Sequence, residues 1–144
     1  PIAYALILLR KDGIPCLFYP AFFGAHYVDK GDDGNDYEIW LARVEELAAM
    51  LPLREKIAFG EQHDYFDHPN CIGWTRTGIP EDKTSGLAVL LSNGSDGYKY
   101  MELGEQHAGR KMKDMLGKCP QEIVLNEKGG AEFHCLAGSV SVWV

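Results

Sequence analysis

Residues 138–144 have the sequence Gly138-Ser139-Val140-Ser141-Val142-Trp143-Val144, in which valine takes every second position from residue 140 onward. Successive side chains of a β-strand point to opposite faces, so the three valines would share one face. Strict alternation of this kind is typical of a strand with one buried face. The stretch therefore predicts a strand that closes an antiparallel sheet.

Upstream of this strand, residues 61–144 alternate short β-type runs with turns that contain Gly, Asn or Pro. Strands that recur at such short intervals indicate an antiparallel sandwich or barrel. The predicted runs are residues 71–76, 87–91, 98–103, 122–125 and 131–136, followed by 140–144.

Residues 1–60 show a different pattern. Residues 3–10 are predicted to end a helix, which Asp12-Gly13 closes because glycine readily takes the left-handed conformation that follows a helix. Residues 14–19 form a short apolar run between turn residues. Such a run predicts a strand that is buried on both faces, as in a parallel sheet.

A second helix is predicted from Asp36, whose carboxylate can cap the free amides of a first turn. Its apolar positions would form one buried face, and Pro52 would end or kink it. Helix, buried strand, loop and helix make up the repeating unit of an α/β fold, and a parallel strand needs partners on both sides. The apolar positions are Trp40, Val44, Leu47 and Leu51.

Composition and charge limit the classes of function. Of the 144 residues, 46% are hydrophobic and 24% are charged, which is ordinary for a globular protein and argues against disorder. The net charge of −7 argues against a nucleic-acid partner or an anionic membrane surface, because clustered Lys and Arg bind polyanions. The longest apolar run stops at Arg10, short of the ~18 residues of a transmembrane helix.

The four cysteines occur singly, without the spacing of a metal site or of a redox pair. We expect buried free thiols, although four cysteines could also form two disulfides. Free thiols indicate a reducing compartment, so the predicted location is the cytoplasm, with secretion of the parent protein as the alternative. The cysteines are Cys16, Cys71, Cys119 and Cys135.

The loop after the predicted parallel strand has the most informative group of side chains, aromatic first and then polar. Loops at the carboxyl ends of strands build the active sites of α/β barrels. Aromatic rings beside carboxylates and amides also suit the binding of sugar rings. The alternative is a loop that packs its rings on a neighbouring domain. The candidate substrate-binding residues are Tyr19, Phe23, His26 and Tyr27.

Residues 62–70 contain two His and two Asp, a combination that occurs in metal and acid–base sites. On a strand, His63 and Asp67 would share one face while Asp64 and His68 share the other, so neither face offers three good ligands. We therefore expect a structural role, with hydrogen bonds between His and Asp side chains at a domain boundary.

Pro1 offers a remote alternative, because an exposed N-terminal proline amine can act as a general base and the opening resembles that of small tautomerases. Those proteins continue with a β-α-β unit, which Gly13 interrupts too early here. The abrupt apolar start is better explained as a cut edge of a longer protein.

Six motifs follow one another along the chain: Gly13-Ile14-Pro15-Cys16-Leu17-Phe18-Tyr19-Pro20-Ala21-Phe22-Phe23-Gly24, Ala58-Phe59-Gly60, Gln62-His63-Asp64-Tyr65-Phe66-Asp67-His68, Gly73-Trp74-Thr75-Arg76, Ser85-Gly86-Leu87-Ala88 and Gly138-Ser139-Val140-Ser141-Val142. Their order and spacing resemble the liquefying bacterial α-amylases of the α-amylase family of glycoside hydrolases. Tyr19-Pro20, Gly24-Ala25-His26-Tyr27 and His68-Pro69-Asn70-Cys71 are more similar still to intracellular members.

The resemblance implies an α+β chain in two parts. Residues 1–60 would be the last helix-strand-helix part of a (β/α)8 barrel, which is the catalytic domain of the family. Residues 61–144 would be an antiparallel Greek-key β-sandwich, the C-terminal domain.

The resemblance also implies that the parent is an endo-acting α-1,4-glucan hydrolase, acting on starch or glycogen with a retaining mechanism. The family's catalytic carboxylates lie on barrel strands upstream of Pro1, so no catalytic residue is assigned in this chain and the isolated chain is expected to be inactive. Its expected role is the packing and stability of the barrel. The alternative is a non-catalytic α-glucan-binding module, which we rank lower for residues 61–144 because no pair of exposed aromatic residues stands out there.

By the same resemblance, the main calcium site of the parent lies upstream. A further family calcium position corresponds to Asn70 and Asn93, whose neutral amides would bind a hard cation weakly, so no metal and no cofactor are expected in this chain. The expected partners are α-1,4-glucan and the rest of the barrel. Barrel surfaces left without their neighbours could also cause self-association.

Overall fold

The computed structural model describes residues 1–144 and consists mostly of small antiparallel sheets with a few short helices. The longest helix has ten residues, and none is long and apolar enough to cross a membrane. The helices are α1 (Ile2–Leu9), α2 (Tyr19–Phe23) and α3 (Leu47–Lys56). The strands are β1 (Ala25–Lys30), β2 (Asp36–Leu41), β3 (Gln62–Tyr65), β4 (Cys71–Arg76), β5 (Leu87–Ser92), β6 (Gly97–Glu102), β7 (Lys111–Met112), β8 (Ile123–Val124), β9 (Gly130–Cys135) and β10 (Val140–Trp143).

The strands predicted in the second half are confirmed, each to within a few residues. The predicted strand β10 forms and lies at one edge of a four-stranded antiparallel sheet ordered β10-β5-β4-β3, but both of its faces are buried rather than one. Strands β6 and β9 pair in a second sheet, and β7 and β8 pair in a third.

The strands β4, β5 and β10 of the four-stranded sheet are covered on both faces, whereas the edge strand β3 is partly exposed. Every residue of β5 is buried, and alternate residues face opposite sides. Leu87, Val89 and Leu91 pack with the helices, and Ala88 and Leu90 pack towards β6 and β9. The chain therefore has a layer of helices, a central sheet and a further β layer, and the strand pairs match a C-terminal β-sandwich.

Helices α1 and α3 form the layer on one face of the central sheet. The predicted helix before Gly13 is confirmed as α1, whose Leu8 and Leu9 are buried beside Leu47 of α3. The Arg54 guanidinium of α3 donates hydrogen bonds to the backbone oxygens of Leu8 and Arg10, at 3.1 and 2.6 Å. These bonds satisfy carbonyl groups that a helix C-terminus leaves without partners.

The predicted buried strand over residues 14–19 is wrong for this chain. Residues 14–18 form neither strand nor helix, Ile14 is 98% exposed, and α2 begins at Tyr19. A parallel strand requires hydrogen-bonded neighbours on both sides, and none of the strands described here lies beside this segment.

The predicted helix from Asp36 is also wrong in its first part. Residues 36–41 form β2, which pairs along its whole length with β1, and the helix begins only at Leu47. Trp40 is consequently 69% exposed rather than buried. Pro52 lies inside α3 without ending it, because buried Met50 and Leu53 hold the helix on both sides of the proline.

All four cysteines are free, but the expectation that all are buried is wrong for Cys16, which is exposed. Cys71, Cys119 and Cys135 are buried in the layer between the central sheet and β6–β9. Burial, followed by the charge of a neighbouring thiol, raises the pKa of Cys135 to about 12. Burial likewise raises the pKa of Cys119.

This difference predicts how the native thiols react with an aromatic disulfide reagent. The thiolate is the reactive form, so we expect one fast equivalent from Cys16 and a reaction at least about 100-fold slower from the three buried thiols. Cys16→Ser should remove the fast phase and leave the slow one. All four should react at similar rates in denaturant, and two or more fast equivalents in the native chain would contradict the assignment.

Candidate functional site

The candidate sugar-binding residues lie on α2 and on the β1–β2 hairpin that follows it. Tyr19 and Phe23 stand on α2, while His26 and Tyr27 stand on β1. Gly24 joins the two elements with a φ of 75°, a conformation that side chains other than glycine rarely adopt. All four side chains are at least partly exposed, so the segment presents rings to solvent.

Tyr19 and Phe23 form one aromatic pair. They are four residues apart on α2, which places them on the same face of the helix. Their ring centroids are 4.5 Å apart, and the rings are 70% and 62% exposed. The pair offers apolar ring surface of the kind that sugars and protein interfaces both use.

His26 belongs to a second aromatic group that includes a residue absent from the predicted site. His26 pairs with Trp40 across the hairpin, and their rings are stacked at 3.5 Å with an interplanar angle of 13°. The imidazole Nε2 lies 2.6 Å from Glu38 Oε1. The carboxylate thus orients the imidazole, and the imidazole covers one face of the indole and leaves the other face free.

Tyr27 does not join this group. It pairs with Ile39, one residue along from the His26–Trp40 pair, so its side chain points to the opposite face of the hairpin. The four predicted residues therefore do not form one group. Tyr19 contacts Phe23, His26 stacks on Trp40, and Tyr27 lies on the other face of the hairpin.

A local signal could have located Trp40 on a strand. Residues 36–39 alternate between charged and aromatic or apolar side chains directly before Trp40, and the Gly-rich segment 31–35 separates them from the β-type run 26–28. That arrangement is typical of a hairpin. The apolar residues from Trp40 to Leu51 also recur with the spacing of a helix, and this longer pattern masks the two-residue alternation of the strand.

The turn of the hairpin is held by one carboxylate. Asp33 accepts hydrogen bonds from the Tyr37 hydroxyl at 2.7 Å and from the backbone and side-chain nitrogens of Asn35 at 3.0 and 2.8 Å. These bonds, chiefly the one from Tyr37, lower the pKa of Asp33. The turn therefore keeps its ionised carboxylate and its shape at neutral pH.

The His/Asp segment at residues 62–70 forms contacts other than the expected ones. Asp64 pairs with Arg10 at 3.0 Å and so ties β3 to the end of α1, and Asp67 pairs with Lys99. His68 Nδ1 accepts a hydrogen bond from the backbone of Asn70 at 3.2 Å. The expected hydrogen bonds between His and Asp side chains are absent, because each carboxylate meets a cation instead.

No group of three or more His, Cys, Asp and Glu side chains in the structure is placed to hold a metal ion. Asn70 and Asn93 are neighbours through a backbone hydrogen bond of 3.1 Å from Asn93 N to the Asn70 oxygen. That the two amides do not bind calcium stays a prediction.

Six carboxyl groups have pKa values that depart from the usual range. A glycosidase acid requires a carboxyl group whose pKa is raised so that it remains protonated. The carboxyl groups with resolved shifts all have lowered pKa values, because each accepts hydrogen bonds or faces a cation. They are Asp33, Glu46, Glu61, Asp67, Asp82 and Glu122.

Comparison with known proteins shows which family and which proteins this chain resembles. Residues 87–144, which run from β5 to the end of β10, match the family described as "Alpha-amylase C-terminal". Over its full length the chain is 46% identical to the cytoplasmic α-amylase of Escherichia coli (strain K12). Residues 87–144 thus form an α-amylase C-terminal domain.

Two further α-amylases are similar over all 144 residues of this chain. That of Geobacillus stearothermophilus is 41% identical, and that of Bacillus licheniformis is 40% identical. The matched region makes up 29% of the E. coli protein, 24% of the Geobacillus protein and 27% of the Bacillus protein. The chain thus spans less than a third of the length of the α-amylases that it matches.

Proposed function

We propose that this chain is the C-terminal segment of an endo-acting α-1,4-glucan hydrolase that uses a retaining mechanism. Residues 1–60 would correspond to the end of its (β/α)8 barrel and residues 61–144 to its Greek-key C-terminal domain. The role proposed for the segment is to pack against the barrel and stabilise it, without supplying a catalytic carboxylate.

One observation carries the packing role: the helices of the first part and the central sheet share a single core. Leu8 of α1, Leu47 of α3 and Trp74 of β4 are each at most 1% exposed within it. Removal of either part would expose this apolar surface to water, at a cost of about 25 cal/mol per Å².

The resemblance to α-amylases supports the absence of catalysis by the isolated chain, because the family's catalytic carboxylates lie on other strands of the barrel. The chemistry would then require carboxylates from the barrel strands that this chain does not contain. Calcium, by the same proposal, is bound by the upstream part of the enzyme.

The decisive experiment is a reducing-sugar assay on soluble starch with the purified 144-residue chain. We expect no release above the buffer blank, while an intact α-amylase at equal molar concentration hydrolyses the starch. Reducing-sugar release that rises in proportion to the concentration of this chain, and that survives repurification, would refute the proposal.

The β1–β2 hairpin favours a second role in the whole enzyme, namely contact with the α-1,4-glucan. One face of the Trp40 indole is free, the imidazole of His26 fixes the ring in place, and Tyr19 and Phe23 stand nearby in sequence on α2. The same exposed rings, together with Ile14, offer surface for self-association of the isolated chain.

The proposed location is the cytoplasm. Four free cysteines are compatible with a reducing compartment, and the E. coli relative is named as cytoplasmic. Location of the parent outside the cell is the alternative.

A further inference from the structure

Tyr98 stands between two hollows on the surface of the β-sandwich. It lies on β6, is 69% exposed, and lines both hollows, whose volumes are about 380 and 250 Å³. The larger is within the size range of small-ligand sites. Asp96 and Gly97 also line both, so the two hollows lie on either side of the segment that begins β6.

The residue before Tyr98 is a glycine that the close packing of the core requires. A Cβ atom on Gly97 would lie 2.6 Å from the sulfur of Cys71 and 3.1 Å from that of Cys135. Strand β6 therefore lies directly on the buried thiols at Gly97, and Ser92 and Ser95 line the larger hollow beside it. Tyr98, the next residue along the strand, points to the opposite face and is exposed.

Polar side chains line both hollows, and both lysines among them are paired with carboxylates. In the larger hollow Asp67 pairs with Lys99, and in the smaller one Lys118 pairs with Glu46 of the helical layer at 2.7 Å. No unpaired cation is thus offered to an anionic ligand. The remaining polar groups, which suit hydroxyl groups, are Asp96, His68 and Asn70 with Gln121 and His134.

This pattern fits a neutral ligand with many hydroxyl groups and an apolar ring face. Carboxylate and imidazole groups accept hydrogen bonds, and amides both donate and accept them, as sugar hydroxyls require. The exposed ring of Tyr98 supplies a flat surface for the apolar face of a sugar, and its hydroxyl makes no hydrogen bond within the chain that would hold it elsewhere.

We propose that the two hollows and Tyr98 form a binding site for an α-1,4-glucan segment, separate from the β1–β2 hairpin. The ligand class rests on the proposed function, whereas the site itself rests on the geometry described above. The glucan lies across the Tyr98 ring and reaches from the hollow beside Asn70 to that beside Gln121. The structure here corrects the expectation that residues 61–144 offer no exposed aromatic pair, since Tyr98 and Tyr100 share the outer face of β6.

The test is affinity electrophoresis of the purified 144-residue chain in gels with and without soluble starch, combined with calorimetric titration of maltoheptaose. We expect retardation in starch and a Kd that Tyr98→Ala raises at least about tenfold, since a central aromatic contact dominates a small binding site. Tyr98→Phe keeps the ring and should bind within about threefold of the unmodified chain.

Tyr100→Ala is the matched control. Tyr100 lies two residues along the same face of β6, is 48% exposed and lines neither hollow, and its hydroxyl accepts a hydrogen bond from Asn126 at 2.8 Å. Its removal should change the Kd by less than about threefold. Thermal unfolding should confirm that both alanine variants are folded.

Three results would overturn the inference: absence of retardation of the unmodified chain, equal binding by Tyr98→Ala, or equal affinity for a β-1,4-linked glucan oligomer. Loss of binding in Trp40→Ala alone would also overturn it, because the contact would then lie on the hairpin. None of these results bears on the proposed role as a non-catalytic segment, which the reducing-sugar assay tests separately.

Discussion

Replacement of Trp74 by alanine is expected to lower the free energy of unfolding by about 3–5 kcal/mol, the usual cost of removing a fully buried tryptophan. Trp74 on β4 is 0% exposed and lies in the core that the helices share with the central sheet. Its indole nitrogen also donates a hydrogen bond of 3.3 Å to the backbone oxygen of Leu9, at the end of α1. The substitution would leave a cavity and an unpartnered carbonyl at the same place.

Chemical denaturation followed by circular dichroism measures this loss. Trp74→Phe retains most of the ring volume and should lose only about 1–2 kcal/mol. Trp40→Ala is the control, because its ring is 69% exposed and its removal should cost less than about 1 kcal/mol. Similar losses at Trp74 and Trp40 would show that the helical layer does not share a core with the sheet.

The second large effect is expected at Asp114, a buried carboxylate outside the regular strands. Its two oxygens accept four backbone hydrogen bonds: from Leu116 at 3.1 Å, Val142 at 2.9 Å, Lys118 at 2.9 Å and Cys119 at 3.0 Å. Asp114 is 8% exposed, so few of these donors could turn to water instead. The carboxylate fastens the loop of residues 113–119 to β10.

Asp114→Ala is expected to lower the free energy of unfolding by about 3–4 kcal/mol, because hydrogen bonds to a charged group contribute about 1.5–3 kcal/mol each and do not add fully. Asp114→Asn should recover only part of the loss, because the amide nitrogen that replaces one carboxylate oxygen would face backbone N–H groups, which are also donors. Asp32→Ala, in the exposed hairpin turn, is the control and should change stability by less than about 0.5 kcal/mol. A loss below about 1 kcal/mol for Asp114→Ala would contradict the proposed role of the carboxylate.

The second half of the chain could be predicted from the sequence because its strands pair with one another. Residues 71–76 and 140–144 carry alternating or apolar patterns, and their partners lie within the same 144 residues. Local pattern and tertiary environment therefore agree, which is the condition under which pattern analysis succeeds.

The first half could not be predicted in the same way. Residues 14–19 have the composition of a buried parallel strand, yet no neighbouring parallel strand is described, so the backbone takes other conformations. Residues 36–41 have apolar positions that continue the spacing of α3, yet hydrogen bonding to β1 outweighs that spacing. In both segments the partner strand, rather than local composition, decided the conformation.

The sequence by itself determined the antiparallel strands, the helix before Gly13 and the resemblance to the α-amylase family, because these depend on the order of residues along one stretch of chain. Only the tertiary structure placed the rings of Trp40 and His26 together, set Tyr98 between two hollows and buried Trp74 beneath α1. Those arrangements join residues 14 to 65 positions apart or depend on which face of a strand is covered. The periodicity of apolar residues indicates that a strand or helix has an apolar face, whereas the packing of the layers decides which residues that face contacts.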